Sequence, residues 1–318
     1  MEHPTLAGFF AQLSETWSQQ RRLIADHINI WQRSGDELED AEKVNNNTSF
    51  FDEHRMEMIR MVIEPRLDDI YIATYPRSGT TWLQMILYQM MTRGEMSFTH
   101  ISEVIPFFDR ALLSRTNFPA LPSPRVFKTH LSFQNISTVA GRYIYVARSG
   151  KDVLTSYYHF HKSHYGFDRG LGEFFEDFVA GRVQYGSWFD HVSEWRKHAS
   201  HAGTLFLLYE DLVNNLESCI RLIANFCEFV IPEAKYPIIL ERCSFRFMKE
   251  YESKFDHAVE VAWEEGKAVA KQPTTGAFLR QGRVGNWTEH LTDDQSKRFD
   301  ELALSHFLSN DSYLARLL

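Results

Sequence analysis

Asp69-Ile70-Tyr71-Ile72-Ala73-Thr74-Tyr75-Pro76-Arg77-Ser78-Gly79-Thr80-Thr81-Trp82 runs from an apolar stretch, through a proline and a glycine, into residues spaced for a helix. Residues 69–74 have the composition of a buried strand, and Trp82, Met85, Ile86, Gln89 and Met90 recur at helical spacing. A strand, a short loop and a helix in that order gather backbone N–H groups at the helix's positive end, which suits a phosphate or another oxyanion. Gly79 lets the backbone approach such a group, Ser78, Thr80 and Thr81 add hydroxyl donors, and Arg77 adds a permanent planar cation. The same residues also read as a turn opened by Pro76 and followed by a serine or threonine helix cap. The nucleotide triphosphatase pattern G-x-x-x-x-G-K-[ST] is absent.

Working outward, residues 125–129, 143–147 and 204–209 read as three further strands, rich in apolar, β-branched or aromatic side chains. Helical spacing appears around residues 151–162, 173–180, 187–198, 211–226 and 238–249. Strands alternating with helices predict an α/β fold, a parallel sheet flanked by helices. No Pro- or Gly-rich linker divides this region. Upstream, Phe9, Phe10, Leu13 and Trp17, then Leu23, Ile24, Ile28, Ile30 and Trp31, suggest two amphipathic helices ahead of an acidic and polar connector at 36–49. The expected organisation is one α/β domain over 66–318 carrying an N-terminal helical extension over 1–65.

Composition narrows the class. The 318 residues are 44% hydrophobic and 24% charged, which excludes a wholly disordered or collagen-like chain. The net charge of −8 argues against general affinity for nucleic acid or anionic membranes, so any anion site must be local. No apolar run approaches the ~18 residues of a membrane span. Met1-Glu2-His3-Pro4 opens without the basic and apolar segments of a secretory signal, and the three cysteines fit reduced thiols. A cytoplasmic protein is expected, with neither nucleic acid nor membrane as partner.

Two more segments carry chemistry. Arg125-Val126-Phe127-Lys128-Thr129-His130 is a strand whose alternation puts Lys128 and His130 on one side at its carboxyl end, where α/β sheets gather ligands. A histidine there can take a proton from a hydroxyl at neutral pH, and the lysine can offset developing negative charge. Tyr145-Val146-Ala147-Arg148-Ser149-Gly150-Lys151-Asp152 ends another strand in an arginine before a glycine turn, and Ser156 follows on the helix. Arg148 and Ser156 are candidates for a second anionic group. A solvent-facing arginine and serine is the other reading of that pair. His159, His161 and His164 do not share one helix face, so no metal site is expected there.

With Tyr185-Gly186-Ser187-Trp188, Leu208-Tyr209-Glu210-Asp211, Ser244-Phe245 and Arg280-Gln281-Gly282-Arg283-Val284-Gly285-Asn286-Trp287, these segments resemble the cytosolic sulfotransferase family over residues 66 to about 300. The family moves a sulfuryl group from 3′-phosphoadenylyl sulfate (PAPS) to a small-molecule hydroxyl and leaves adenosine 3′,5′-bisphosphate (PAP). The resemblance implies a P-loop-like sheet and no required metal. It matches Arg77, Ser78, Gly79, Thr80, Thr81 and Trp82 to the element holding the 5′-phosphosulfate, with Trp82 near the adenine. It matches Arg148, Ser156, Arg280, Gln281 and Gly282 to the 3′-phosphate site, and Tyr209 and Phe245 to the adenine site. Lys128 and His130 match the lysine and catalytic base. Pro106, Phe107 and Phe108 match the acceptor pocket, to which Tyr157, Phe160 and Trp188 are further candidates, suiting a hydrophobic or aromatic acceptor.

The departures are specific. Arg77 stands where the family's loop usually has lysine, and Gln281 replaces a lysine. The family's dimer motif, Lys-x-x-x-Thr-Val-x-x-x-Glu, reads here Thr288-x-x-x-Thr292-Asp293-x-x-x-Lys297, which leaves the oligomeric state open. A P-loop kinase and a non-catalytic nucleotide-binding protein of the same fold are the competing readings.

Overall fold

The computed structural model describes residues 53–114, 116–164, 167–201, 203–256, 260–264, 267–271, 278–307 and 311–318. The two helices expected within residues 9–31 and the connector at 36–49 lie outside them. Four strands, β1 (Ile70–Thr74), β2 (Val126–Thr129), β3 (Arg142–Ala147) and β4 (Thr204–Leu208), pair in the order β2-β1-β3-β4. Every pair is parallel, with Ile70 opposite both Val126 and Arg142, and Tyr143 opposite Thr204. A separate antiparallel pair, β5 (Glu260–Glu264) and β6 (Lys267–Lys271), was not expected from the sequence, whose reading stopped at helical spacing near 249.

The sheet is buried on both faces, as parallel sheets are. Ile70 and Ile72 of β1 enter one core, and Tyr71 and Ala73 enter the other. Helices α2 (Thr80–Thr92), α7 (Leu216–Phe226) and α8 (Tyr236–Arg242) supply Leu83, Ile220 and Ile239 to the first. Helices α1 (Glu53–Ile63), α3 (Gly150–His164), α4 (Leu171–Val179), α5 (Trp188–Lys197) and α10 (Asp293–His306) supply Ile59, Val153, Phe174, Trp195 and Phe299 to the second. This second core is largely aromatic: Tyr71 stacks on Phe127 and Tyr143 at 5.5 and 5.4 Å, and Tyr145 stacks on Trp195 at 4.9 Å. Such pairs contribute about 0.5–1.5 kcal/mol each beyond their buried area. Because Met56, Ile59 and Ile63 of α1 share that core, the sheet's compact unit reaches upstream of residue 66.

Two stretches expected as single helices are each broken. The one around 211–226 is α6 (Tyr209–Asn214) and α7, separated at Asn215, whose φ of −141° and ψ of 49° lie outside the helical region. The one around 238–249 is α8 and α9 (Phe245–Glu250), because the Ser244 hydroxyl caps α9 by accepting from the Phe247 N–H. Thr292, the surviving residue of the dimer motif, caps α10 by accepting from the Gln295 N–H at 3.2 Å. Cys219, Cys227 and Cys243 are buried and unpaired by disulfides. No described helix is long and apolar enough to cross a membrane.

The end of the sheet away from the strand carboxyl termini is held by a fully buried bidentate pair. Arg125 Nε and Nη2 donate to the Asp69 carboxylate at 2.7 and 2.6 Å. Arg125 also donates to the carbonyls of Ile63, Glu64 and Phe118, tying α1 to β1 and β2. Replacing Asp69 by alanine leaves a buried guanidinium without its counter-charge, which costs about 3–5 kcal/mol. Urea unfolding of Asp69→Ala is expected to show that loss, and a change below ~1 kcal/mol, the level of an exposed ion pair, would contradict it.

Candidate active site

In the strand order β2-β1-β3-β4 the chain leaves β1 on one side for β2 and returns on the other for β3, so a crevice opens between the carboxyl ends of β1 and β3. One cavity occupies this end of the sheet, and its lining brings together all but one of the residues matched from the sequence to the donor site and to catalysis. The exception is Ser78, which lies fully buried beneath the loop with its Oγ unpartnered among the described residues.

The loop after β1 is shaped for close approach. Gly79 has φ +100°, and a Cβ there would sit 2.8 Å from the Tyr209 ring. Thr80, Thr81 and Trp82, whose N–H groups open α2 without intrahelical acceptors as at every helix start, line the cavity. Trp82 donates its indole N–H to the Cys243 carbonyl at 2.7 Å and packs edge-on to Tyr209 at 5.5 Å. Gly282, φ +62°, lies against Phe245, where a Cβ would overlap the ring at 2.2 Å. Trp82, Tyr209 and Phe245 therefore form an aromatic recess beside the loop, and both glycines are there because no side chain fits.

Arg148, nearly buried after β3, donates to the carbonyls of Arg77 at 3.1 Å and Arg283 at 3.2 Å, and lies 4.4 Å over the Tyr209 ring. Its Nε is buried with no partner among the described residues. Arg148, 3.8 Å from the Asp152 carboxylate through Nη2, and Arg280 both line the cavity, and two cations there fit an anionic group. Ser156 lines the same cavity as Arg148, and its hydroxyl accepts from Arg77 Nε at 3.3 Å. Arg77 also donates to the Phe278 carbonyl and lies over the Phe160 and Phe278 rings at 4.7 and 5.0 Å. Arg280 and Gln281 line the cavity, Gln281 accepting from Arg283 Nε at 2.9 Å. Asp152 holds this 280–287 segment over α3 by accepting from the Gly285 and Trp287 N–H groups at 2.8 and 3.1 Å.

Beyond β2, His130 is held at three points. Its N–H donates to Asp109 Oδ2 at 2.9 Å, its carbonyl accepts from His191 Nε2 at 3.0 Å, and its ring Nδ1 lies 2.8 Å from the Thr74 carbonyl. A carbonyl oxygen only accepts, so Nδ1 carries the proton and Nε2 carries the lone pair. The ring stands edge-on between Phe107 at 5.3 Å and Tyr185 at 5.2 Å. Burial, reinforced by the Lys128 charge, pushes the imidazolium pKa down to about 3, so the ring is neutral across the physiological range. Burial, with the Arg110 charge second, lowers Lys128 to about 8. Asp109, raised to about 6 by burial, accepts from Thr129, the His130 N–H and the Tyr185 hydroxyl.

Asp109 and His191 were missed in the sequence, and Tyr185 was noted only as part of the Tyr185–Trp188 motif, without its place beside His130 and Asp109. The available signals were an acid following two phenylalanines and a histidine three residues after Trp188 on an apolar helix face. Of the acceptor-pocket residues, Phe107, Tyr157 and Phe160 line the cavity, whereas Pro106 does not, and Phe108 and Trp188 are fully buried in the core. Trp188 packs against Phe299 and closely against Gly150, so it supports α3 from behind. His164 stacks on Phe160 at 4.4 Å, His161 on Tyr157 edge-on at 4.5 Å, and His159 faces His290 at 5.0 Å.

A loop and helix start built for an anion, an aromatic recess, a second cationic subsite and an oriented neutral histidine define a nucleotide-dependent transferase site. Residues 67–308 match the sulfotransferase domain family. The chain is 35% identical over 252 residues to human sulfotransferase 1C2, covering 75% of this chain and 83% of that protein. It is 32% identical over 249 residues to the amine sulfotransferase of Oryctolagus cuniculus, covering 75% and 80%. The fold matches mouse sulfotransferase SULT7A1 complexed with PAP, with TM-score 0.64 at 24% identity over 85% of this chain and 95% of that one. It also matches retinol dehydratase in complex with androsterone and inactive cofactor PAP, with TM-score 0.64 at 20% identity over 81% and 86%. The chain belongs to the cytosolic sulfotransferase family and is a PAPS-dependent sulfotransferase.

Proposed function

We propose that this enzyme transfers the sulfuryl group in line to the hydroxyl of a small hydrophobic or aromatic acceptor in the cytoplasm, with His130 as general base. One observation carries the reading: the Thr74 carbonyl holds the Nδ1 proton, which leaves Nε2 to receive a proton on a cavity shared with Lys128 and Arg77. The acceptor oxygen attacks sulfur, its proton passes to Nε2, the bond from sulfur to the bridging phosphate oxygen breaks, and PAP leaves. Lys128, Arg77 and the N–H groups of Thr80 and Thr81 face the charge that builds on the sulfuryl and leaving oxygens. The adenine takes the Trp82, Tyr209 and Phe245 recess, and Arg148 and Arg280 take the 3′-phosphate. By analogy with phosphoryl transfer, positioning and electrostatics carry most of the rate.

The pH profile tests this assignment. Lys128 offsets charge only as an ammonium, and its pKa of about 8 means that charge is lost as pH rises through 8. His130, at about 3, stays neutral on the acid side, where the first group to change is Asp109 at about 6. The kcat/KM for PAPS, which reports the free enzyme, is expected to fall above pH 8. Lys128→Arg, lower in rate but charged throughout, is expected to lose that alkaline limb. An alkaline limb unchanged in Lys128→Arg would remove Lys128 from the mechanism.

A further inference from the structure

The isolated parallel bridge between Phe107 and Lys128 extends the sheet by one position outside β2. Across the mouth of the cavity the order is therefore the 107–110 segment, the end of β2, the end of β1 and the end of β3. Donor groups fall on the β1 and β3 side, with Arg77, Arg148 and Arg280. Arg110 lies at the opposite edge, beyond His130, and no reading of the donor uses it. Its guanidinium carbon is 5.3 Å from the Phe107 ring centroid, and Lys128 Nζ is 4.6 Å from the same ring. The His130 ring is also 5.3 Å from that centroid, so guanidinium and imidazole are at most twice that distance apart. A para-substituted phenol with a short side arm fits within that bound. No carboxylate lines the cavity among the described residues, and the Arg110 charge acts on Lys128 and His130 as well as on the buried Asp109 beside it. A guanidinium has five N–H donors, enough to hold an acceptor group alongside any protein partner.

We propose that Arg110 reads a negative charge on the acceptor, which makes the preferred acceptor class a phenol or alcohol bearing a carboxylate. This rests on the sulfotransferase reading of the site and adds to it the end of the acceptor far from the reacting oxygen. The carboxylate takes a charge-assisted hydrogen bond from Arg110 while the hydroxyl meets His130 Nε2, and the aromatic body crosses the face of Phe107. The bonds made and broken in the transfer are unchanged.

The test uses three phenols of similar length and different charge: 4-hydroxyphenylacetate, its methyl ester and tyramine. Their kcat/KM with PAPS, and their Kd for the PAP-loaded protein, are measured on wild type, Arg110→Gln and Arg110→Glu. The acid is expected to exceed the ester by at least ~10-fold in wild type, the scale of one charge-assisted hydrogen bond, with tyramine lowest. Arg110→Gln is expected to collapse the acid-to-ester ratio, and Arg110→Glu to bring tyramine above the acid. An ester or amine that equals the acid in wild type overturns the proposal, even if both variants fail to fold. A ratio unchanged in Arg110→Gln does so too, as does an equal loss on all three acceptors, which would put Arg110 on the sulfuryl group. If PAP does not bind and no label leaves PAPS, the sulfotransferase reading itself has failed, which is a different result.

Discussion

His130→Ala is expected to lower turnover by at least ~100-fold, the low end for a positioned general base, with little change in PAP affinity. The split follows from geometry. His130 stands beyond β2, past the loop after β1, whereas the aromatic recess and Arg148 lie on the β1 and β3 side. Its backbone N–H and carbonyl are held by Asp109 and His191, so removing the ring leaves the strand end anchored. Steady-state kinetics and calorimetry with PAP on the same preparation check both halves. Retention of wild-type turnover would show that another group takes the proton, and Lys128, with its pKa lowered to about 8, is the neighbour to examine.

Arg148→Ala is expected to weaken PAP roughly 10- to 100-fold while changing adenosine 5′-phosphate far less, since hydrogen bonds to a charged group contribute about 1.5–3 kcal/mol. Arg148 also links the Arg77 and Arg283 carbonyls, so its loss loosens two walls of the cavity at once. The 5′-phosphate compound separates the two effects. General loosening weakens both nucleotides alike, whereas loss of a 3′-phosphate contact weakens only the one that carries it. Equal losses would remove Arg148 from that subsite.

Local chemistry was legible in the sequence. The strand, loop and helix around Gly79 declare themselves within fourteen consecutive residues, and the Lys128–His130 alternation within six. The parallel sheet followed from apolar strands alternating with helical spacing, and the strand boundaries agree to within a residue. What was not legible depends on side chains meeting across the chain. Asp109 reaches His130 from 21 positions away and His191 from 61, and no short-range pattern reports either contact. Ser156 was expected only beside an anionic group, and its contact with Arg77, 79 positions away, was not legible for the same reason. Trp188 looked like a pocket residue because an aromatic on an amphipathic helix has no written direction. The breaks at Asn215 and Ser244 were single residues inside otherwise helical spacing, where a side-chain cap or one non-helical φ/ψ outweighs propensity.

The central claim is sulfuryl transfer from PAPS through this cavity. The most direct measurement incubates the purified protein with PAPS labelled with sulfur-35 and 4-hydroxyphenylacetate, with chelator present, and follows the label by chromatography alongside PAP. Labelled sulfate ester and PAP are expected to appear in equal amounts, with the rate falling at least ~100-fold in His130→Ala. Label that stays on PAPS, together with magnesium-dependent phosphoryl transfer from ATP by the same preparation, would contradict it.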